Sequence, residues 1–376
     1  MNEINWGDLT LERFLSEFWQ QKPILIRGAF EEFKPVIAPD ELAGLALEED
    51  VESRLIRYNP SNNDYQLERG PIPEERFGEL PEENWTLLVQ AVDHYVPEAT
   101  DLLNLFSFIP RWRIDDLMIS YATPGGGVGP HYDNYDVFLI QASGTRRWEL
   151  GGYEDSSSPR LPDAPVMVLS EFESEIEFDL AVGDMLYLPP RLAHNGIATS
   201  EDCITYSVGF RAPSESEFLR SISDHVGEQL SAEKRFTDPQ RTITKAPGQV
   251  DESDAAKIKA RLVELISDEQ NFNQWLGELL SEPKYPDMVQ AVAEDEFNDW
   301  FQEALEVGVE VAPNTRLIYL ESDSNRLFCN GEAISVASTE WPLAKSLADY
   351  RNLAPDDLDS NQQELLTKLF QLGALL

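Results

Sequence analysis

The feature that most constrains this chain lies between about residue 113 and Pro213. Seven short runs rich in β-branched and aromatic residues follow one another there: "LMISYA", "DVFLIQA", "RRWEL", "PVMVLS", "SEIEFDLAVGD", "DMLYLPP" and "DCITYSVGFRA". Turn residues separate them, and runs this short cannot bury a face alone, so the block predicts an all-β barrel or sandwich. The flanks are written differently. Upstream, residues 8 to 20 place Leu11, Phe14, Leu15, Phe18 and Trp19 on one helical face, "PILIRGAF" reads as a short strand, and "PDELAGLALEED" and "ENWTLLVQAVDHYV" read as two further helices. Downstream, residues 214–308 show helical periodicity in "DAAKIKARLVELI", "NFNQWLGELL" and "MVQAVAEDEFNDWFQEAL". "APNTRLIYLESDSNRLFCNGEAISV" then reads as two strands, and "WPLAKSLADYR" and "NQQELLTKLFQLGALL" as helices, the pattern of a small winged-helix-like α+β unit. A chain of 376 residues can hold several cores. The expected division is a β domain with N-terminal helices over 1–213, a helical region over 214–310 and the winged-helix-like unit over 311–376.

Acidic residues outnumber basic ones 69 to 29, for a net charge of −40. Such a surface repels nucleic acid and anionic membrane and attracts basic proteins; it also keeps a protein soluble, and charge alone does not choose between partner and solubility. Even residues 315–376, where a winged helix would contact DNA, hold five Lys/Arg against nine Asp/Glu, the wrong sign for a phosphate-binding module. A DNA-binding regulator with a degenerate, non-enzymatic cupin barrel is therefore the weaker alternative. The two cysteines, Cys203 and Cys329, are too few for a disulfide framework. No apolar run approaches a membrane span and the amino terminus lacks signal-peptide character, which predicts a cytoplasmic protein. The helices of 214–308 carry apolar faces beside a barrel that should already be closed, so a homodimer is expected.

Chemistry concentrates in "GGGVGPHYDNYD", residues 125–136. Strand alternation sends His131 and Asp133 to one side and Tyr132 to the other, so the pair can grip one ion. His194, at the end of "GDMLYLPPRLAH", supplies a second imidazole from a distant strand. Two histidines and one carboxylate on one face of a metal, with the opposite face open, is the arrangement of non-haem Fe(II) oxygenases; a zinc or other cupin-like site would use the same ligands. In "SGTRRWEL" the same alternation sets Arg146, Trp148 and Leu150 on an inward face and Arg147 and Glu149 outward. An inward guanidinium needs an anion, either a barrel carboxylate or the distal carboxylate of a bound 2-oxo acid.

Taken together, "RIDDLMIS", "PGGGVGPHYD", "TRRW", "GDMLYLPPRLAH" and "YSVGFRAP" resemble the JmjC-type 2-oxoglutarate oxygenases, specifically the bacterial ribosomal oxygenases, over the entire chain. The resemblance implies a cupin-like double-stranded β-helix catalytic domain, a helical dimerisation region and a C-terminal winged helix. It implies that His131, Asp133 and His194 bind Fe(II), that Arg146 holds the tail carboxylate of 2-oxoglutarate and that Ser120 helps hold it. The implied activity is hydroxylation of an arginine side chain of large-subunit ribosomal protein sixteen, using O2 and releasing succinate and CO2; a ribosomal histidyl hydroxylase of the same family is the alternative. Tyr132, Tyr135, Asp136, Asp115 and Asp116 are candidates to face a substrate guanidinium.

Overall fold

The computed structural model describes residues 3–358 and 362–376. The chain divides into two compact units, Met1–Ala212 and Pro213–Leu376. The first runs α1 (Leu11–Glu17), β1 (Ile24–Ile26), α2 (Pro39–Leu45), β2 (Ser53–Asn59), β3 (Asp64–Arg69), α3 (Glu74–Gly78), β4 (Trp85–Val89), α4 (Pro97–Asn104) and β5 (Ile114–Ala122). It continues with β6 (Val137–Ser143), β7 (Arg146–Tyr153), β8 (Ile176–Leu180), β9 (Met185–Leu188), β10 (Leu192–Ala198) and β11 (Cys203–Phe210). An eight-stranded sheet of order β1-β9-β6-β11-β5-β4-β2-β3 faces a three-stranded sheet, β10-β7-β8. The seam between them is apolar: Val137 and Leu139 of β6 and Leu186 and Leu188 of β9 pack with Trp148, Leu150, Leu180 and Leu192 of the smaller sheet. Two antiparallel sheets closed over one core give the cupin-like architecture expected from the run of short strands.

A second, larger core lies on the other face of the big sheet. Phe14 of α1, Leu102 of α4, Phe106, Phe138 and Tyr187 are all buried in it, which is why the N-terminal helices are strongly apolar on one side only. Thr10 caps α1 by accepting from the Arg13 amide at 3.2 Å.

Three local expectations are corrected in this unit. "ENWTLLVQAVDHYV" is not a helix: Trp85–Val89 is strand β4, paired with β2 on one side and β5 on the other. Being central, β4 is buried on both faces, so its run of apolar residues lacks the alternation that marks a half-exposed strand. "PVMVLS" contributes only the isolated bridge Arg160↔Leu169; its Val168 covers Ile56, Tyr65 and Leu88 as a side chain instead of extending the sheet. The short strand expected in "PILIRGAF" is β1, but three more precede residue 113, because β2, β3 and β4 lengthen the large sheet.

The second unit contains α5 (Glu215–Glu228), α6 (Glu252–Ile266), α7 (Glu269–Ser281), α8 (Phe297–Val307), β12 (Val309–Glu310), β13 (Leu317–Tyr319), β14 (Arg326–Cys329), β15 (Glu332–Ser335), α9 (Trp341–Tyr350), β16 (Asn352–Leu353) and α10 (Gln363–Gln371). The helix read from "NQQELLTKLFQLGALL" is α10; its first residue, at position 361, lies outside the described residues. "MVQAVAEDEFNDWFQEAL" becomes regular α-helix only at Phe297, since the Val292 amide donates to Gln371 O at 3.0 Å instead of continuing a helix. The expected two strands are three, ordered β13-β14-β15. Asn330 and Gly331, both at positive φ, turn Cys329 directly back onto Glu332, the two-residue hairpin that an Asn-Gly pair favours. Phe297 and Phe301 of α8, Leu327 and Cys329 of β14, Leu343 and Leu347 of α9, and Leu365 and Leu369 of α10 form this unit's core.

Candidate metal and cosubstrate site

Strand β10 carries His194 in a buried position, and a register shift in its pairing with β7 falls between Leu192 and His194. Such irregularities re-aim a side chain. Across from it, His131 is not in a strand but in an isolated antiparallel bridge to His194, with the two backbones exchanging hydrogen bonds of 2.9 and 2.8 Å. The glycines upstream allow the chain to come this close. Gly129 sits at φ +82°, and a Cβ there would strike the Tyr65 hydroxyl at 2.7 Å and its ring carbon Cζ at 2.8 Å; a Cβ on Gly127 would lie 2.3 Å from Gly196 O.

Both histidines are oriented by the same device. His131 Nδ1 lies 2.8 Å from Gly129 O and His194 Nδ1 lies 2.9 Å from Leu192 O. A ring nitrogen facing a carbonyl carries the proton, so Nε2 of each ring is left as the lone-pair donor. Those Nε2 atoms stand 3.9 Å (His131) and 3.6 Å (His194) from Asp133 Oδ2. The three ligand atoms lie within 4.8 Å of one another, the one such cluster among the described residues. His194 has its pKa pushed down to about 4, first by burial and then by the neighbouring His131. It is thus a neutral imidazole at neutral pH, the form that binds a metal. Asp133 is partly exposed and its carbonyl accepts from the Arg191 amide at 2.6 Å, which ties the loop before β10 to the loop carrying the carboxylate.

Arg146, Trp148 and Leu150 of β7 are buried, whereas Arg147 is exposed and pairs with Asp179 at 2.8 Å. The strand alternation therefore runs in the phase read from sequence. Arg146 is 5% exposed, and its Nε and Nη2 are buried with no hydrogen-bond partner. Its guanidinium carbon stands 5.8 Å from the Trp148 ring centre. A buried, unsatisfied cation is costly unless an anion completes it, so the pocket fits a bound carboxylate better than an internal ion pair. Ser120 is also buried; its hydroxyl donates to Thr205 O at 3.3 Å, and serving a carboxylate requires that proton to turn away.

The five residues considered for a substrate guanidinium separate. Asp136 is fully buried and committed: its carboxylate accepts from the Tyr187 hydroxyl at 2.6 Å, Gln20 Nε2 at 2.9 Å and Arg113 Nη2 at 3.4 Å. It is a structural strut between β9 and the segment that follows α1, and the expectation that it flanks an entrance is withdrawn. Asp116, buried on β5, accepts from Gln90 Nε2 at 2.7 Å and the Ala91 amide at 2.9 Å. Tyr135 is exposed, and its phenol is held well above the ordinary range, first by loss of solvation and then by Asp133 and Asp116. Tyr132 and Asp115 are half-buried. Sequence reasoning did not mark Gly196, where a Cβ would meet the Trp148 ring at 2.6 Å; its position two residues after His194, on the same strand face, is the signal that could have found it.

Comparison with known proteins agrees with this geometry. Residues 101–218 match the family model described as the JmjC domain, and residues 264–375 match the ROXA-like winged helix. The chain is 39% identical to the "Ribosomal protein uL16 3-hydroxylase" of Escherichia coli, over 75% of this chain and 73% of that protein. It is 32% identical to the "Probable ribosomal oxygenase" of Haemophilus influenzae, over 92% and 87% of the two chains. The X-ray structure of E. coli YcfD superposes with a TM-score of 0.88 at 33% identity, covering 100% of this chain and 99% of that one. YcfD in complex with cobalt and 2-oxoglutarate gives 0.85 over the same shares at the same identity. On these matches, over a fold and a His-Asp-His cluster of the kind just described, the chain belongs to the JmjC-domain ribosomal oxygenases.

Proposed function

We propose that this chain is an Fe(II)- and 2-oxoglutarate-dependent hydroxylase of an arginine side chain in ribosomal protein uL16. The observation that carries the reading is the pairing of a three-ligand cluster with a buried arginine that lacks an acceptor. His131, Asp133 and His194 would hold the metal, and Arg146, assisted by Ser120, the far carboxylate of the cosubstrate. When bound, iron with 2-oxoglutarate and O2 supplies oxidation of an unactivated C–H bond, one oxygen atom going to the substrate carbon and the other to succinate as CO2 leaves. The chain's own residues do the rest. The Nδ1 contacts fix both imidazoles, and the apolar seam between the sheets excludes water.

The net charge of −40 supports a basic ribosomal protein as partner, met in the cytoplasm, because long-range attraction speeds encounter. No helix among the described residues is long and apolar enough to cross a membrane. A homodimer is part of the same proposal: α6 has no buried residue, and its Ile258, Leu262, Val263 and Ile266 form an exposed stripe of helical spacing. The 1–213, 214–310 and 311–376 division remains our working assignment of catalytic, dimerising and winged-helix parts. Succinate production tests the reading: His131→Ala and Asp133→Ala should each abolish it, and unchanged turnover in either would remove the metal assignment.

A further inference from the structure

Arg146 is not the sole buried donor without an acceptor on its strand face. Trp148 is 6% exposed, yet its indole Nε1 is buried and has no hydrogen-bond partner. Buried indole N–H groups normally find an acceptor, and leaving one unmade costs about as much as a lost hydrogen bond. The indole is also seated with unusual care. Gly196 pairs with Trp148 across β10 and β7, and any Cβ there would meet the six-membered ring at 2.6 Å. In the same register Ala198 lies opposite Arg146 and His194 opposite Leu150. Trp148 therefore occupies the strand position between the arginine and the row of the metal-binding histidine, and its ring centre is 5.9 Å from that of His194.

We infer that Trp148 is a third anchor for the anionic cosubstrate, its indole N–H donating to an oxygen of the molecule that Arg146 grips, with Gly196 providing the seat that aims it. This rests on the cosubstrate reading given above and adds to it a neutral, directional donor beside a charged one. Arg146 supplies attraction; Trp148 fixes where along the pocket the anion lies. Trp148 is a positioning residue, so its loss should be felt first in cosubstrate affinity and only then in turnover.

The test is calorimetric titration of 2-oxoglutarate into the full-length, cobalt-loaded protein. Trp148→Phe keeps a ring on Gly196 but removes the donor. It should weaken 2-oxoglutarate binding roughly tenfold, the worth of a hydrogen bond to a charged acceptor, while cobalt affinity stays at the parent value and the protein, with a smaller ring in the seam, melts a few degrees lower but still cooperatively. Gly196→Ala, which keeps the N–H but displaces the ring, should weaken binding in the same direction. Independently of any variant, one of the eight indole N–H signals of the 15N-labelled, zinc-loaded parent should move downfield when 2-oxoglutarate is added. Unchanged affinity in Trp148→Phe, or eight indole signals that ignore the ligand, would overturn the inference and leave the site assignment standing. A parent protein that binds no 2-oxoglutarate would overturn both.

Discussion

His131 and His194 are backbone partners as well as neighbouring imidazoles: each amide donates to the other's carbonyl, at 2.9 and 2.8 Å, while the ring centres stand 4.3 Å apart. The site is thus assembled by main-chain pairing that does not need the imidazoles themselves. His131→Ala should accordingly keep its melting temperature within about 3 °C of the parent, because a half-exposed ring adds little to the core, while losing cobalt binding by calorimetry. A cooperative loss of structure on this substitution would mean that the side chain, and not the bridge, holds the two segments together.

Arginine at position 146 offers a planar fork that lysine cannot reproduce. Arg146→Lys should raise the 2-oxoglutarate requirement at least tenfold with little change in metal affinity. Arg147→Lys, whose parent side chain is exposed and paired with Asp179, should leave both unchanged. The larger effect at 147 would contradict the inward assignment of Arg146.

Removing the Asp136 carboxylate strands three donors, Tyr187, Gln20 and Arg113, in or near the core. Asp136→Ala should destabilise the first unit by roughly 3 kcal/mol or more in urea unfolding. Asp136→Asn, which keeps an acceptor oxygen, should cost less. A loss of substrate affinity without loss of stability would restore it as an entrance residue.

Leu262 is 59% exposed in the middle of the α6 stripe. If that stripe pairs two copies, the parent should be dimeric by light scattering at micromolar concentration and Leu262→Asp should be monomeric with its barrel intact. A monomeric parent would make the stripe a free surface.

What could be read from the sequence follows from where alternation survives. β7 has one buried and one solvated face, so its phase was plain, and Arg146 and Arg147 separate as their positions demand. β4 is buried on both faces and its Trp-Thr-Leu-Leu-Val run looked helical. The His-x-Asp pair and the second histidine were legible because few residue types bind metal and this chain holds only four histidines. Adjacency in sequence says nothing of side: Asp136 stands three residues from Asp133 yet points into the core, where Gln20, just after α1, and Tyr187 of β9 meet it. The third strand of the second unit follows Asn330-Gly331, a pair that favours a two-residue hairpin, but the same dipeptide at Asn195-Gly196 lies inside strand β10, so the pair alone does not announce a turn. No pattern in the sequence announced that Trp148 Nε1 would be buried without an acceptor, since that depends on what surrounds it in space.

The central claim is that a metal site and a carboxylate clamp in an acidic β-barrel oxidise an arginine on a basic ribosomal protein. The most direct measurement is mass spectrometry of a uL16 peptide incubated with the full-length protein, Fe(II), 2-oxoglutarate and O2. The account predicts a single added oxygen on one arginine side chain, absent when that arginine is replaced by lysine, because the guanidinium decides which carbon meets the oxidant. Oxygen found on a histidine would contradict the arginine assignment, and an unmodified peptide beside an active 2-oxoglutarate turnover would contradict uL16 as the substrate.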